Sequence, residues 1–249
     1  MKKTLLLLAL AAASVTASAQ TKPAAVAAAP TVAAAPTPAA AAAPTPAGYA
    51  DMLAATITEL MSTGDPAPLK ESVAKLERAA AAVPTDWLPR YYQAYGHTII
   101  SFVSKEDGDT KDKYLDQAEA ALTQARTLGG DESELLVLQA YLYQARLGIA
   151  PMTRSGKYSR LVMETLAQAK ALNPANPRVY LVQGNNLFFT PKMFGGGPDV
   201  AKAVFEEGKT RFAAFRPASA LAPNWGERQV LGRLKSYEQP AAAPAQAAK

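Results

Sequence analysis

The sequence predicts an all-α fold: an α-solenoid of antiparallel helix pairs, with about four loop-extended repeats and a C-terminal capping helix. Three observations predict it. Four times an alanine is followed five residues later by a helix-stopping residue: Ala79 to Pro84, Ala125 to Gly130, Ala169 to Pro174 and Ala218 to Pro223. The stops lie 46, 44 and 49 residues apart, a spacing that marks a repeated helix pair. Ten residues after each of the first three stops stands another small residue: Ala94, Ala140 and Gly184. Finally, the apolar residues recur at helical spacing throughout, and no comparable run alternates with period two.

The helices follow in order. The first, 49–62, stops before Gly64, and the second, 67–83, stops at Pro84. The third, 86–104, carries Ala94 at its middle. The fourth, 111–128, has the stripe Tyr114, Leu115, Ala118, Leu122, Ala125 and ends at Gly129-Gly130, where glycine takes the left-handed conformation without strain. Asp131 followed by Glu134 gives the fifth, 132–147, an acidic capping box, with Gly148 as its stop. Tyr158, Leu161, Val162, Leu166, Ala169 and Leu172 form the stripe of the sixth, 157–173. Asn176-Pro177 is an N-cap followed by proline at the first helical position, opening the seventh, 177–189. Gly197-Pro198-Asp199 starts the eighth, 199–214, and Asn224 the ninth, 225–237.

These residues resemble the tetratricopeptide repeat. Ala94, Ala140 and Gly184 match its small position in the first helix of each pair, and Ala79, Ala125, Ala169 and Ala218 its late alanine in the second. Close helix crossings need small side chains at those places. Ala169-Lys170-Ala171-Leu172-Asn173-Pro174 is the best single match. The usual 34-residue period is stretched, with the added length at 104–111, 148–157 and 189–198. Thr190 to Gly197, with Pro223-Asn224-Trp225-Gly226 downstream, looks like a group of exported bacterial tetratricopeptide-like proteins, which implies fold and location.

The chain ends agree with export. Met1-Lys2-Lys3, an apolar run over 5–13 and Ala17-Ser18-Ala19 describe a signal peptide cleaved after Ala19. Residues 20–48, rich in Ala, Pro and Thr, read as a disordered linker, 49–238 as the helical repeat domain, and 239–249 as a disordered tail. The expected location is periplasmic or secreted. No segment is long enough to span a bilayer. The absence of cysteine excludes disulfides and thiolate metal sites. Loss of Lys2 and Lys3 takes the formal net charge from +5 to +3, too mild to indicate nucleic acid.

Catalytic chemistry is scarce. His97 is the only histidine, and no G-x-S-x-G, H-E-x-x-H or P-loop pattern occurs. It reads as a packed structural side chain. Glu106 to Asp112 groups four acids without the calcium-loop spacing and reads as a solvated loop. We expect no enzyme, no cofactor and no metal site. The basic residues Lys202, Lys209, Arg211, Arg216, Arg228, Arg233 and Lys235 read as a solvated outer face.

The repeat register supplies the candidate binding face. First helices of such repeats line the concave side, which places Tyr91, Tyr95, Tyr141, Gln144, Arg178, Asn185 and Phe188 there. Tyrosine, asparagine and arginine on a concave surface suit a protein or peptide partner of the cell envelope. The second candidate is a small-molecule pocket under the 188–197 loop, as in an envelope transport component. In that loop Phe194 is expected to plug the repeat core while Gly195, Gly196 and Gly197 let the chain turn.

Overall fold

The computed structural model describes residues 45–238. The expected signal peptide, the linker up to residue 44 and the tail 239–249 lie outside the described residues. Among them are nine α-helices and no strand: α1 (Tyr49–Ser62), α2 (Pro66–Ala82), α3 (Leu88–Val103), α4 (Gly108–Thr127), α5 (Glu132–Ile149), α6 (Pro151–Leu172), α7 (Pro177–Phe189), α8 (Pro198–Ala214) and α9 (Glu227–Glu238). The solenoid of helix pairs expected from the spacing is the observed fold. α1 packs on α2, α3 on α4, α5 on α6 and α7 on α8, while α1, α3, α5 and α7 adjoin one another in sequence as an inner row. No described helix is long and apolar enough to cross a membrane.

The repeat signals act as crossings. Ala94 and Ala140 are fully buried, as are Ala125 and Ala169, with Ala79 nearly so. At Gly184 a Cβ would come within 2.4 Å of the Phe205 ring, so α7 and α8 meet with no room for a methyl group. Gly96 marks a further close crossing: a Cβ there would lie 2.5 Å from Val73. Two caps fall where expected, at Asp131 and Asn176, while Asp107 adds one that starts α4 three residues before the expected 111. The Asp107 side chain accepts from the Thr110 N–H, Asp131 from Glu134 N–H, and Asn176 from Arg178 N–H.

Two expectations fail. The anticipated loop at 148–157 is helix: Gly148 lies inside α5, and α6 begins at Pro151, whose missing N–H costs nothing at the first helical position. Arg154, in that added first turn, donates to both carboxylate oxygens of Asp112 and to the Arg146 carbonyl. At the fourth repeat, α8 ends at Ala214, so Ala218 is exposed in an irregular strap, 215–226, rather than late in a helix. The cause is local: Pro217 forbids continued helix, and the residue before it is pushed to extended backbone.

The strap returns the chain to the inner row, and α9 then runs across it. Arg228 donates to the Met61 carbonyl at the end of α1 (2.6 Å). At the other end, the Tyr237 hydroxyl donates to the Pro198 carbonyl at the start of α8 (2.8 Å). The face expected to bind is therefore covered in part by the chain's own C-terminal helix, which packs on α8 and bonds to α1, α5 and α7.

Candidate ligand-binding groove

Helical spacing aligns aromatic rings along the inner row. Residues 95 and 102 are two turns apart on α3, and Tyr141 stands on the neighbouring α5. Trp225, from the strap, completes a continuous run: Tyr95 to Trp225 at 5.1 Å, Trp225 to Tyr141 at 5.4 Å and nearly parallel (13°), Tyr141 to Phe102 at 5.0 Å. Offset rings at these separations stabilise one another beyond their burial by about 0.5–1.5 kcal/mol a pair.

Behind this run lies a buried polar network. The Trp225 indole N–H donates to the Tyr91 hydroxyl (2.8 Å), and Tyr91 faces Glu134 at 3.4 Å. Glu134 is gripped by both arms of Arg178, one at 2.7 Å, and by the Asn176 amide at 3.0 Å. The Phe215 ring covers the guanidinium at 4.7 Å. Burial pushes the Glu134 carboxyl upward, and Arg178 opposes it. Burial also pushes Tyr91 well above the usual phenol range. With its carboxylate held by three N–H donors, Glu134 is best described as the ionised half of a buried pair.

A cavity of about 400 Å³ opens between α5, α7 and α9, lined by Tyr141, Asn185, Gln229, Gly232, Arg233 and Ser236. The Tyr141 hydroxyl donates to Gln229 Oε1 (3.3 Å), and Arg233 Nε–H donates to Asn185 Oδ1 (3.1 Å). The Arg233 guanidinium also sits 5.4 and 5.6 Å from the ring centres of Phe188 and Phe189, and Phe189 is 68% exposed. One aromatic ring, two amides, a hydroxyl and a guanidinium make a mostly polar lining that suits a ligand presenting a carboxylate to Arg233. Nothing in this arrangement pairs a nucleophile with a base.

The structure divides the sequence candidates. Tyr141 and Asn185 line the cavity, and Phe188 lies beside it against Arg233. Tyr95 is buried beneath Trp225. Gln144 spends its amide on the Val182 carbonyl, tying α5 to α7. Tyr91 and Arg178 are fully buried inside the scaffold rather than on its concave surface, because the strap and Glu134 enclose them.

Phe194 is not a plug. It is 72% exposed and Met193 83%, on a short 3-10 turn over Lys192–Phe194. The turn is rigid: Gly197 N–H donates to the Leu187 carbonyl at 2.8 Å, Gly195 has φ +79°, and a Cβ at Gly196 would meet the Thr190 carbonyl at 2.4 Å. This cavity is lined by no residue of 188–197 and lies beside Asn185, a turn before that loop.

Sequence reasoning missed Trp225 and the whole contribution of α9. Arg233, read with the solvated outer face, turns inward onto Asn185, while Arg228 stays exposed and reaches the Met61 carbonyl from the surface. The signal was the pairing of Arg233 with Val230 and Leu234 at helical spacing, a pattern shared by any amphipathic helix.

His97 lies outside the groove. Its ring stacks on Tyr114 at 6.4 Å, its Nδ1 is buried without a protein partner, and burial pushes its pKa down to about 4. The acidic stretch is absorbed by structure: Glu106 binds Ser104 and Lys70, and Asp112 is held below the usual carboxylate range by Arg154 and Arg146. Among the described residues no cluster of metal-ligating side chains occurs.

No protein-family model matches the chain, and no curated protein matches it. Among solved structures it is similar to the HusA haemophore from Porphyromonas gingivalis. The two are 34% identical with a TM-score of 0.70, over 80% of this chain and 99% of that one.

Proposed function

This chain belongs to the family of the HusA haemophore, and we propose from that premise that it is a non-catalytic carrier of haem or a closely similar flat, carboxylated ring. The observation that carries the reading is the likeness over 99% of a haemophore's length. The groove adds a chemical reason. Phe102, exposed and held in place by Tyr141, offers a ring face to a macrocycle, whose edge can lie against Phe188 and Phe189 and whose carboxylate can meet Arg233. Asn185 supplies an amide at the same edge.

His97 takes no part in this reading. It is packed between α3 and α4 against Tyr114. Affinity then comes from stacking and carboxylate pairing.

The test is a haem titration of the purified protein, followed by the Soret band. Tyr141→Ala is expected to weaken binding about tenfold, the effect of losing about 1.4 kcal/mol of stacking and burial. His97→Ala is expected to leave affinity within about twofold. Haem binding that ignores Tyr141→Ala would place the site elsewhere, and no binding at all would end the haem reading.

A second reading rests on α9 itself, since the concave row already holds an amphipathic helix and so has the shape to take one. It predicts capture of a peptide partner from envelope extract, lost when Tyr95, Tyr141 and Asn185 are all replaced by alanine. We rank the small ligand ahead of the peptide, a ranking that the likeness to a haemophore supports. Export of either carrier rests on the N-terminal sequence, and N-terminal sequencing of the mature chain should begin at Gln20.

A further inference from the structure

The groove side chains best placed to hold a ligand are already committed to α9. Tyr141 donates to Gln229, and Asn185 accepts from Arg233. We propose that α9 is a displaceable occupant of the concave groove, hinged at Gly226, which swings aside to give Tyr141 and Asn185 to a flat, carboxylated aromatic ligand. The ligand class rests on the haem-carrier reading above; the hinge does not.

Four observations favour movement at this place. First, α9 packs along α8 but buries little of itself. Of its 12 residues only Val230 and Leu234 are buried, and its end contacts, Arg228 to Met61 and Tyr237 to Pro198, are exposed enough for water to replace them. Second, its own sequence gives it little reason to be a helix. Twelve residues are marginal alone, and Gly232 stands in the middle with nothing within 4 Å of where a Cβ would be.

Third, the chain just before it is fixed. Trp225 is 4% exposed, stacked on Tyr141 and bonded through its N–H to Tyr91, and the Leu221 carbonyl accepts from Tyr92. Fourth, the boundary between the fixed strap and the little-buried helix is a glycine with φ +109°. Its backbone lies in the positive-φ region that residues with a side chain rarely adopt. Glycine at that conformation is a natural pivot, because it can change φ without the penalty other residues carry.

As α9 swings aside, Arg233 releases Asn185 and Gln229 releases Tyr141, so both groove side chains are opened to the ligand. Trp225 stays, so the ligand stacks beside a ring that is already ordered. The aromatic floor is thereby kept dry until it is needed.

The experiment is hydrogen exchange on the full chain with and without haem, together with stopped-flow association of haem to wild type and to Val230→Ala. In the ligand-free protein the amides of 227–238 should exchange as a group, well ahead of those around 141 and 185. Haem should speed exchange in 227–238 while slowing it around 141 and 185. Val230→Ala, a mild truncation under α9, should raise the association rate several-fold, because the competent state is more populated. Exchange of 227–238 as slow as α5 would overturn the hinge, as would protection of α9 by haem with an unchanged or slower rate in Val230→Ala. Should haem not bind, the ligand reading falls, and grouped early exchange of 227–238 still decides for the hinge and its absence against it.

Discussion

Arg178 has no solvent exposure, and a buried guanidinium is tolerable only where its charge is met. Glu134 meets it from across the inner row, and Phe215 covers the remaining face. Removing one partner strands the other, so Arg178→Ala is expected to cost about 3–5 kcal/mol in urea unfolding, whereas replacing both by apolar residues of similar size should cost far less. His97 gives a pH signature. Its folded pKa is near 4, below the 6.5 of an exposed imidazole, so the unfolded chain binds the extra proton between those values. Stability from this group is therefore full above about pH 6.5 and lost as pH falls toward 4, by about 3 kcal/mol at 1.36 kcal/mol per unit. The difference between wild type and His97→Phe, followed by chemical denaturation across that window, isolates the effect; parallel curves would show that the ring is solvated.

At the scale of helices, the repeat fixes where backbones touch. Gly184→Ala drives a methyl group into the Phe205 ring, and overpacking of this kind costs about 1–3 kcal/mol, measurable as a lowered urea midpoint with unchanged m-value. Phe194→Ala should change stability by under about 0.5 kcal/mol, because the side chain projects from its rigid turn into solvent. The same contrast explains what was legible. Eight helices lie within about three residues of where the caps and stripes put them, since Asp131, Asn176 and Pro198 act locally. The start of α6 was not legible: Gly148 and Pro151 together look like a break, and only Arg154 reaching Asp112 shows the helix resuming there at once. Phe194 misled for a related reason, because hydrophobicity says that a side chain prefers burial but not whether the glycines beside it aim it inward.

For the molecule as a whole, the sequence placed Tyr141, Asn185 and Phe188 on one face but hid that the face is covered in part. That fact is tertiary: the strap crosses the inner row, and α9 reaches from Met61 to Pro198, joining the first helix pair to the last. No local spacing encodes such a return. Binding at this groove acts on a structure in which the inner helices adjoin in series, so it should stabilise the array rather than one repeat. Haem at a hundred times its dissociation constant adds about 2.7 kcal/mol to the folded state by mass action. For a domain of this size that raises the melting temperature by roughly 5–10 °C. The transition should remain single, since the inner helices melt together. Tyr141→Ala, compared at the same haem concentration, should show a markedly smaller rise above its own ligand-free value. An equal rise in both proteins would mean that haem stabilises the chain from a surface outside the groove.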